Sequence, residues 1–357
     1  MKHFLKGIGA LALAIPAGAF GQEVAPEPRL QDGEGPMPSE IVRFDVEARV
    51  DYRYTGVDGH TDKKHSGFEG RYLSMRVDGT IIPGLTYSWV QRFNKPQAFF
   101  EATAWMYLNY EIGRWGVQGG KEVVAIGGFE YDRAPIDLYS CSVFWNNVPC
   151  YQFGVSGSFG ITPSDRLTFQ VTQSPFHTSE NKDMYAYNLL WNGHHGCFDA
   201  LYSANLLEYA DGRYISYLAL GNRFSFGKWA LELDLMNRAA AHQTFLFKDC
   251  SVMAELAFKP SDRWRVHAKY TYDVNHADNG ADLIVAQGTE LSMAGAGVEF
   301  YPLMKRRHRL RLHAGCYYSW GANGNADNLM QNKTLFVNAG LTWDMNLLNI
   351  KRKQRVN

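Results

Sequence analysis

Arginine and lysine recur at alternate positions in several stretches of this sequence, with apolar residues between them. Such side chains bind small anions non-covalently when they line a narrow aqueous passage, because low-dielectric walls strengthen their field. Acidic residues alternate in the same way, so the other interpretation is a set of mixed charges that pair with one another. The basic candidates are Arg43, Arg49, Arg53, Arg76, Arg92, Arg265, Lys269, Arg309 and Arg311, together with Lys121 and Arg133.

Residues 42–54 show which kind of element positions these side chains. Apolar and charged residues alternate there without exception, and a period of two is that of a β-strand. About a dozen alternating residues exceed the roughly 5–6 of a soluble strand and match the roughly 9–11 that cross a bilayer. Each charge facing lipid would cost about 2–4 kcal/mol at the midplane, so the charged face must line a water-filled interior. The alternative is the edge strand of a soluble sandwich.

The same two-faced unit recurs from residue 39 onward and gives about 16 strands, an even number as bacterial barrels require. Short connectors alternate with long ones, and the longest in mid-chain is 127–150. A soluble sandwich has turns about 8–12 residues apart and no reason for such an asymmetry. The sequence therefore predicts an all-β protein, a transmembrane antiparallel β-barrel with short periplasmic turns and long external loops.

The amino terminus has the pattern of an export signal. Residues 1–22 combine Lys2 and Lys6 with a short apolar core and small residues suited to cleavage. Residues 23–38 are rich in proline and acidic residues and predict a flexible periplasmic lead-in. We expect a barrel domain over residues 39–350, exported to the bacterial outer membrane and surrounded by its lipid, since only helices and closed barrels satisfy the backbone there.

Residues 119–139, GGKEVVAIGGFEYDRAPIDLY, and the closing segment 339–351, AGLTWDMNLLNIK, resemble the phosphate-selective porin O and P family of outer-membrane proteins. The resemblance implies a 16-stranded porin, often a homotrimer, whose third loop folds into the lumen and narrows it. It also implies that basic side chains in this constriction attract small anions, phosphate among them. Segment 127–150 is the third long loop, and its aromatic residues suit packing against an inner wall.

The resulting prediction is a porin that lets small hydrophilic solutes diffuse passively, with a preference for anions as the finer hypothesis. Strands fifteen and one are near neighbours across the barrel closure, so their arginines are expected to form one basic wall. The formal net charge is +0, which gives no reason to expect a nucleic acid as partner. We predict neither a cofactor nor a metal site.

Two other classes of function stay open at this point. An enzyme embedded in the barrel needs a nucleophile, a base and an orienting group together, and no spacing of Ser, His and Asp singles out such a set. We therefore predict no catalytic residues. A structural or adhesive barrel with a plugged lumen would carry large residues on its inner face, where the alternation places Trp105, Tyr107 and Phe336.

The sequence has five cysteines, an odd number for an exported chain. Cys141 and Cys150 share the third loop and are the candidate disulfide, which would contribute about 2–3 kcal/mol. Cys197, Cys250 and Cys316 fall in predicted strands and are expected to be small wall residues.

Overall fold

The computed structural model describes residues 40–94, 98–305, 308–325 and 328–351. The predicted export signal, 1–22, and lead-in, 23–38, lie outside the described residues. Sixteen long strands follow one another in this part of the chain and pair in antiparallel fashion. They are β1 (Glu40–Val57), β2 (Gly67–Ile82), β3 (Leu85–Arg92), β4 (Thr103–Ile112), β5 (Trp115–Val123), β6 (Tyr151–Thr162), β7 (Asp165–Gln173), β8 (Tyr185–His195), β9 (Phe198–Ala210), β10 (Arg213–Phe226), β11 (Trp229–Ala240), β12 (Asp249–Ser261), β13 (Trp264–Asn275), β14 (Glu290–Lys305), β15 (His308–Ala322) and β16 (Thr334–Lys351).

The first and last strands close the sheet into a barrel. β1 pairs with β2 on one side and with β16 on the other, from Glu40 opposite Lys351 to Val57 opposite Thr334. Closure leaves no unpaired strand edge, which lipid would not tolerate. The predicted antiparallel barrel of about 16 strands is confirmed. A further two-residue strand, His60–Thr61, only folds back on the end of β1.

The alternation in β1 separates an outer face from an inner face. Val50 and Tyr52 are 40% and 49% exposed on the outer surface, whereas Asp45 and Asp51 are 2% and 1% exposed. Apolar side chains on the outside of a closed barrel are those that suit lipid. The charged side chains lie inside, where they bond to one another and to the chain that enters the lumen.

The two ends of the barrel differ in their connectors. At one, called the turn end, every fully described connector has two residues, whereas most connectors at the other, the loop end, are much longer. One connector at the loop end, 211–212, is also a two-residue turn, with Gly212 at φ 63°. The sequence pattern did not single out this exception. The fully described connectors of the turn end are 83–84, 113–114, 163–164, 196–197, 227–228 and 262–263.

Helices in the described chain are short and lie in the connectors of the loop end. None of those in the described residues is long and apolar enough to span a membrane. They are α1 (Phe99–Ala102), α2 (Phe129–Asp132) and α3 (Val143–Asn147), with 3-10 turns at Lys63–His65 and Pro135–Asp137. The connector 124–150 contains α2, α3 and the second 3-10 turn, and is called the lumen loop below.

Candidate functional site

The lumen loop, residues 124–150, leaves the wall after β5 and crosses the barrel interior to β9. Gly127 N donates to Ser203 Oγ over 2.8 Å, and Gly128 N donates to Leu201 O over 3.1 Å. Glycine is required at 127, because a Cβ there would lie 2.4 Å from the Leu201 carbonyl oxygen. The backbone of the loop therefore lies directly against the inner wall.

Helix α3 docks the lumen loop on β13. Its first backbone N–H groups, those of Val143 and Phe144, donate to the Asp273 carboxylate at 2.9 and 3.3 Å. Ser142 Oγ caps the helix by accepting from Trp145 N at 3.1 Å. Val143 and Phe144 are buried, so aromatic residues of the loop do pack against the wall. The apolar cluster around them includes Val124, Ile126, Tyr131, Tyr217, Ile284, Val285, Met293 and Phe336.

Two of the predicted anion-binding arginines hold the lumen loop. Arg49 donates to the carbonyl oxygens of Ile136 at 3.2 Å and Leu138 at 2.6 Å. Arg311 donates to the same Ile136 oxygen at 3.0 Å and forms an ion pair with Asp137 at 2.5 Å. Arginines of β1 and β15 thus meet at one carbonyl oxygen, as expected for neighbouring strands. In the structure, however, these two arginines bind the lumen loop of the same chain and not a solute anion.

Lys269, a third predicted residue, is also engaged by the lumen loop. Its Nζ lies 2.6 Å from Glu130 Oε1 and donates to Ser140 O at 2.9 Å. Glu130 in turn accepts from the Ser142 backbone and hydroxyl at 3.1 and 2.5 Å. Because both charges are buried and hydrogen-bonded, this ammonium group stabilises the loop on β13.

Arg133 and Arg265 form a chain of alternating charges with glutamates of the wall. Arg133 reaches Glu232 at 2.6 Å and Glu255 at 2.7 Å. Arg265 shares Glu255 at 2.6 Å and contacts Glu299 at 3.4 Å. Removing one partner of a buried pair costs about 3–5 kcal/mol, since it leaves an uncompensated charge. These arginines therefore brace the loop, as the mixed-charge interpretation expects.

Tyr139 is the aromatic contact between the lumen loop and the wall near β15. Its hydroxyl donates to Glu299 over 2.8 Å, and its ring stacks on His313 with centroids 4.5 Å apart. The guanidinium carbons of Arg49 and Arg311 lie 4.7 and 5.6 Å from the ring centroid. Burial raises the pKa of Tyr139 well above its ordinary value, so the hydroxyl stays a donor.

Three predicted arginines lie nearer the turn end, and each has a carboxylate beside it on the inner wall. Neighbouring charges of opposite sign largely cancel in their effect on a passing ion. The pairs are Arg43 with Asp45 (2.5 Å), Arg76 with Asp78 (2.6 Å), and Arg309, which lies opposite Asp344 on the adjacent strand.

Arg92 has a different environment from the other predicted residues. Its Nη2 donates to Tyr151 Oη over 2.9 Å, and its guanidinium carbon lies 4.9 and 5.7 Å from the ring centroids of Tyr151 and Tyr72. Within the described chain, no carboxylate forms an ion pair with it. Arg92 therefore keeps its positive charge uncompensated at the inner wall.

Arg92 lines a cavity of about 660 Å³ between the lumen loop and strands β1 to β5. The cavity is large enough for a small organic solute, since ligand pockets span about 300–1,000 Å³. Positive side chains outnumber negative ones among its described lining residues. The basic ones are Arg49, Arg53, Arg71, Arg92 and Lys121, and the acidic ones are Glu69 and Glu101.

Lys121 stands at the edge of this cavity, and its ammonium group is held by the connector after β3. Its Nζ donates to Phe100 O over 2.6 Å. Its cross-strand neighbours Met106 and Phe153 are exposed on the outer face. The next residue, Glu122, points inward and accepts hydrogen bonds from Gln118 and Ser156. Lys121 thus lies at the foot of the lumen loop with its ammonium group bound to a main-chain carbonyl oxygen.

Cys141 and Cys150 are thiols in the structure, where a disulfide was predicted. Cys141 Sγ donates to Asn146 Oδ1 and Cys150 Sγ to Val148 O, both at 3.3 Å. Burial raises the pKa of Cys141 to about 12. The shape of the loop is therefore set by its contacts with the wall and not by a cross-link.

The sequence pattern missed the aromatic partners of Arg92. Tyr72 directly precedes the alternating run in β2, and Tyr151 is the first residue of β6. Alternation identified the strands but gave no sign that the two rings meet at one arginine. Among the described residues, no group of His, Cys, Asp and Glu is arranged to hold a metal ion.

Comparisons with known proteins agree with this architecture. The family model of phosphate-selective porin O and P matches residues 42–197. A comparison with curated proteins gave no match. Solved structures with a similar fold include OmpT of Vibrio cholerae, an outer membrane protein, in a mutant lacking loop L8. It has TM-score 0.59 and 12% identity, and the alignment covers 86% of this chain and 99% of that one.

Two further structures show the same fold. An anion-selective porin from Comamonas acidovorans has TM-score 0.58 and 11% identity, with 85% of this chain and 99% of that chain covered. The outer membrane channel DcaP of Acinetobacter baumannii has TM-score 0.58 and 11% identity, with 84% and 96% covered. At such low identity the likeness establishes the fold alone. The predicted resemblance is thus confirmed over residues 42–197, which match the phosphate-selective porin O and P family, and the closed barrel has the fold of outer-membrane porins.

Proposed function

We propose that this protein is a passive diffusion channel for small hydrophilic solutes in a bacterial outer membrane, and that it favours anions. The observation that carries the proposal is the cavity beside the lumen loop, whose lining has more basic than acidic side chains. Low-dielectric walls strengthen the field of such a group of charges. The family match over residues 42–197 and the likeness to an anion-selective porin support the same function.

The attraction would come from the arginines on the β1–β3 side of the cavity. Arg92 has hydroxyl and ring partners and no carboxylate among the described residues. Arg53 and Arg71 share one carboxylate, that of Glu69, at 2.5 and 3.2 Å. Five other basic residues position the lumen loop through hydrogen bonds and ion pairs. They are Arg49, Arg133, Arg265, Lys269 and Arg311.

The side chains on the outer face of the barrel indicate which medium surrounds it. Exposed apolar side chains there, among them Val50 and Tyr52, suit contact with outer-membrane lipid. We extend the proposal to a chain exported by its amino-terminal signal and assembled as a homotrimer, as the family resemblance implies. The fold and the family match support a channel without catalytic activity.

A second candidate, a barrel with a closed lumen, is favoured by the packing of other connectors against the lumen loop. The connector 276–289 contributes Ile284 and Val285, which are 3% and 0% exposed, and the described segment 328–333 contributes Met330 at 4%. These residues join the apolar cluster of the lumen loop. They fill part of the cross-section together with the lumen loop, and the cavity described above lies on the side of β1 to β5.

Conductance across a planar bilayer distinguishes the two candidates. The purified full-length protein is inserted under a KCl gradient, and its folding is checked by heat-modifiable mobility in a gel. Stepwise currents with a reversal potential that favours chloride are the expected result. Stepwise currents without preference, or with a cation preference, would refute the anion selectivity but not the channel. Absence of current from folded protein would support the closed barrel.

A further inference from the structure

The cations of the cavity lie beside aromatic rings. Arg92 lies over Tyr151 and Tyr72 at 4.9 and 5.7 Å. On other parts of the same cavity wall, Arg49 lies 4.7 Å from the Tyr139 centroid, and Arg53 lies 5.0 Å from that of Phe336. Each of these guanidinium groups thus lies close to an aromatic ring that lines the same cavity. A solute in the cavity meets positive charge and aromatic surface together.

The cavity wall also holds hydrogen-bond donors without acceptors in the described chain. They are Arg53 Nε, Arg92 Nε and Trp145 Nε1, all buried atoms of residues that line this cavity. Buried donors without an acceptor are rare, and each calls for an explanation. All of the orphaned side-chain atoms on these lining residues are donors and none is an acceptor. These atoms have almost no accessible surface, so a solute would meet the outer N–H groups of the same residues and not the orphaned atoms themselves.

We propose that this cavity binds organic anions in which a carboxylate is attached to a flat aromatic body. The carboxylate would bond the guanidinium group of Arg92, and the ring would stack among Tyr72, Trp145 and Tyr151. This inference deepens the proposed channel function by naming a class of solute for the same cavity.

The geometry gives a physical reason for preferring such solutes to small inorganic anions. A chloride or phosphate ion gains only from the N–H groups and leaves the surrounding rings in contact with water. An aromatic carboxylate gains from the same N–H groups and also removes apolar surface from water. The cavity volume of about 660 Å³ leaves room for the ring as well as the carboxylate.

The test compares four probes on the full-length protein: benzoate, acetate, inorganic phosphate and benzyl alcohol. Binding is measured directly on the detergent-solubilised barrel by saturation-transfer NMR, and block of single-channel current is measured in bilayers. We expect benzoate to bind at least tenfold more tightly than acetate or phosphate, which lack the ring. Benzyl alcohol, which has the ring without the charge, should bind at least tenfold more weakly than benzoate.

Two variants and a matched control locate the site. Arg92→Gln should weaken benzoate binding at least fivefold, and Trp145→Leu should weaken benzoate binding without changing that of acetate. Arg114→Gln removes an arginine that is exposed in the turn 113–114, outside the cavity, and should bind benzoate like the parent protein. Heat-modifiable mobility confirms that each variant is folded.

The outcomes separate this inference from the channel function. Equal binding of benzoate, acetate and phosphate would overturn the aromatic preference even if the protein conducts anions. Benzyl alcohol binding as tightly as benzoate would overturn the role of the charge. Selective benzoate binding that both cavity variants weaken, in a barrel without current, would support the binding site and refute the channel.

Discussion

The ring of Tyr139 in the lumen loop stacks on the imidazole of His313 in β15, with centroids 4.5 Å apart. His313 is held from behind by Asp51, whose Oδ1 lies 3.0 Å from its Nε2. Asp51 also binds Arg49, which donates to the loop carbonyls. Tyr139 therefore packs against a part of the wall in which the charged side chains of Asp51 and Arg49 are already held by hydrogen bonds and an ion pair.

Replacing Tyr139 by alanine should free this part of the lumen loop. Tyr139 is partly buried, so loss of its ring should cost less than the about 3–5 kcal/mol of a fully buried aromatic side chain. Proteolysis within 127–150 should still accelerate, and current fluctuations should increase. Tyr139→Phe keeps the ring and loses only the hydrogen bond to Glu299, worth about 1 kcal/mol. If the alanine variant resisted protease as well as the phenylalanine variant does, the ring would not be the fastening point.

Replacing Arg92 by glutamine should lower the preference for chloride over potassium. A unit charge about 4 Å from a passing ion contributes about 1 kcal/mol in water, so the permeability ratio should fall about fivefold, as read from the reversal potential in a KCl gradient. Arg114→Gln, which alters the exposed turn 113–114, provides the control. An unchanged ratio in Arg92→Gln would remove this residue from the selectivity mechanism.

Replacing Arg311 by glutamine should act mainly on the loop and less on selectivity. The substitution leaves the Asp137 carboxylate without its ion-pair partner and removes the bond to Ile136 O. Arg311 is buried but the Asp137 side chain is 28% exposed, so the cost should lie below the about 3–5 kcal/mol of a fully buried pair. The loop should nevertheless become more sensitive to protease. A change in the reversal potential as large as that of Arg92→Gln, with no change in proteolysis, would contradict this division of roles.

Acid should loosen the loop through Asp137. Burial alone would raise the pKa of Asp137, but Arg311 and Arg309 outweigh it and hold that pKa below its ordinary value. The stabilisation is therefore complete above the unfolded pKa of about 3.9 and is lost as the pH falls through the lower pKa of the folded state. Current fluctuations should rise as the pH is lowered below about 4. Asp137→Asn should fluctuate more at neutral pH and respond less to acid, and the opposite order would rule out this pair.

The thiol of Cys141 should react slowly with maleimides. Burial raises its pKa to about 12, so little of the reactive thiolate is present near neutral pH, whereas Cys197 is exposed. Labelling followed by mass spectrometry of peptides should show Cys197 modified first. The same digest tests the disulfide predicted from the sequence, because a linked peptide containing Cys141 and Cys150 would contradict the two thiols in the structure.

The barrel could be predicted from the sequence because the alternation of apolar and charged residues that produces it is visible within each strand. In β1 each charged residue has an apolar neighbour on either side, and that alternation alone decides which side chains enter the lumen. The inward placement of Arg49, Arg92 and Arg311 follows from it.

The roles of the lumen arginines could not be predicted from the sequence. Arg49 and Arg311 are bound by main-chain carbonyls of the lumen loop, and the identity of a residue does not reveal where its carbonyl oxygen points. Arg92 owes its environment to Tyr151, which is 59 residues away in the chain. Alternation determines which side chains face inward, whereas the course of a loop determines which of them remain available to a solute.

The single carbonyl oxygen of Ile136 accepts hydrogen bonds from Arg49 in the first strand and from Arg311 in the fifteenth. Those strands are adjacent to the seam where the barrel closes, since β16 alone lies between them. A partly assembled sheet cannot offer both arginines to the loop at once. The mid-chain loop can therefore reach its final position only after the two ends of the chain have met, which makes the narrowing of the lumen a late step of assembly and ties it to a correctly sealed wall.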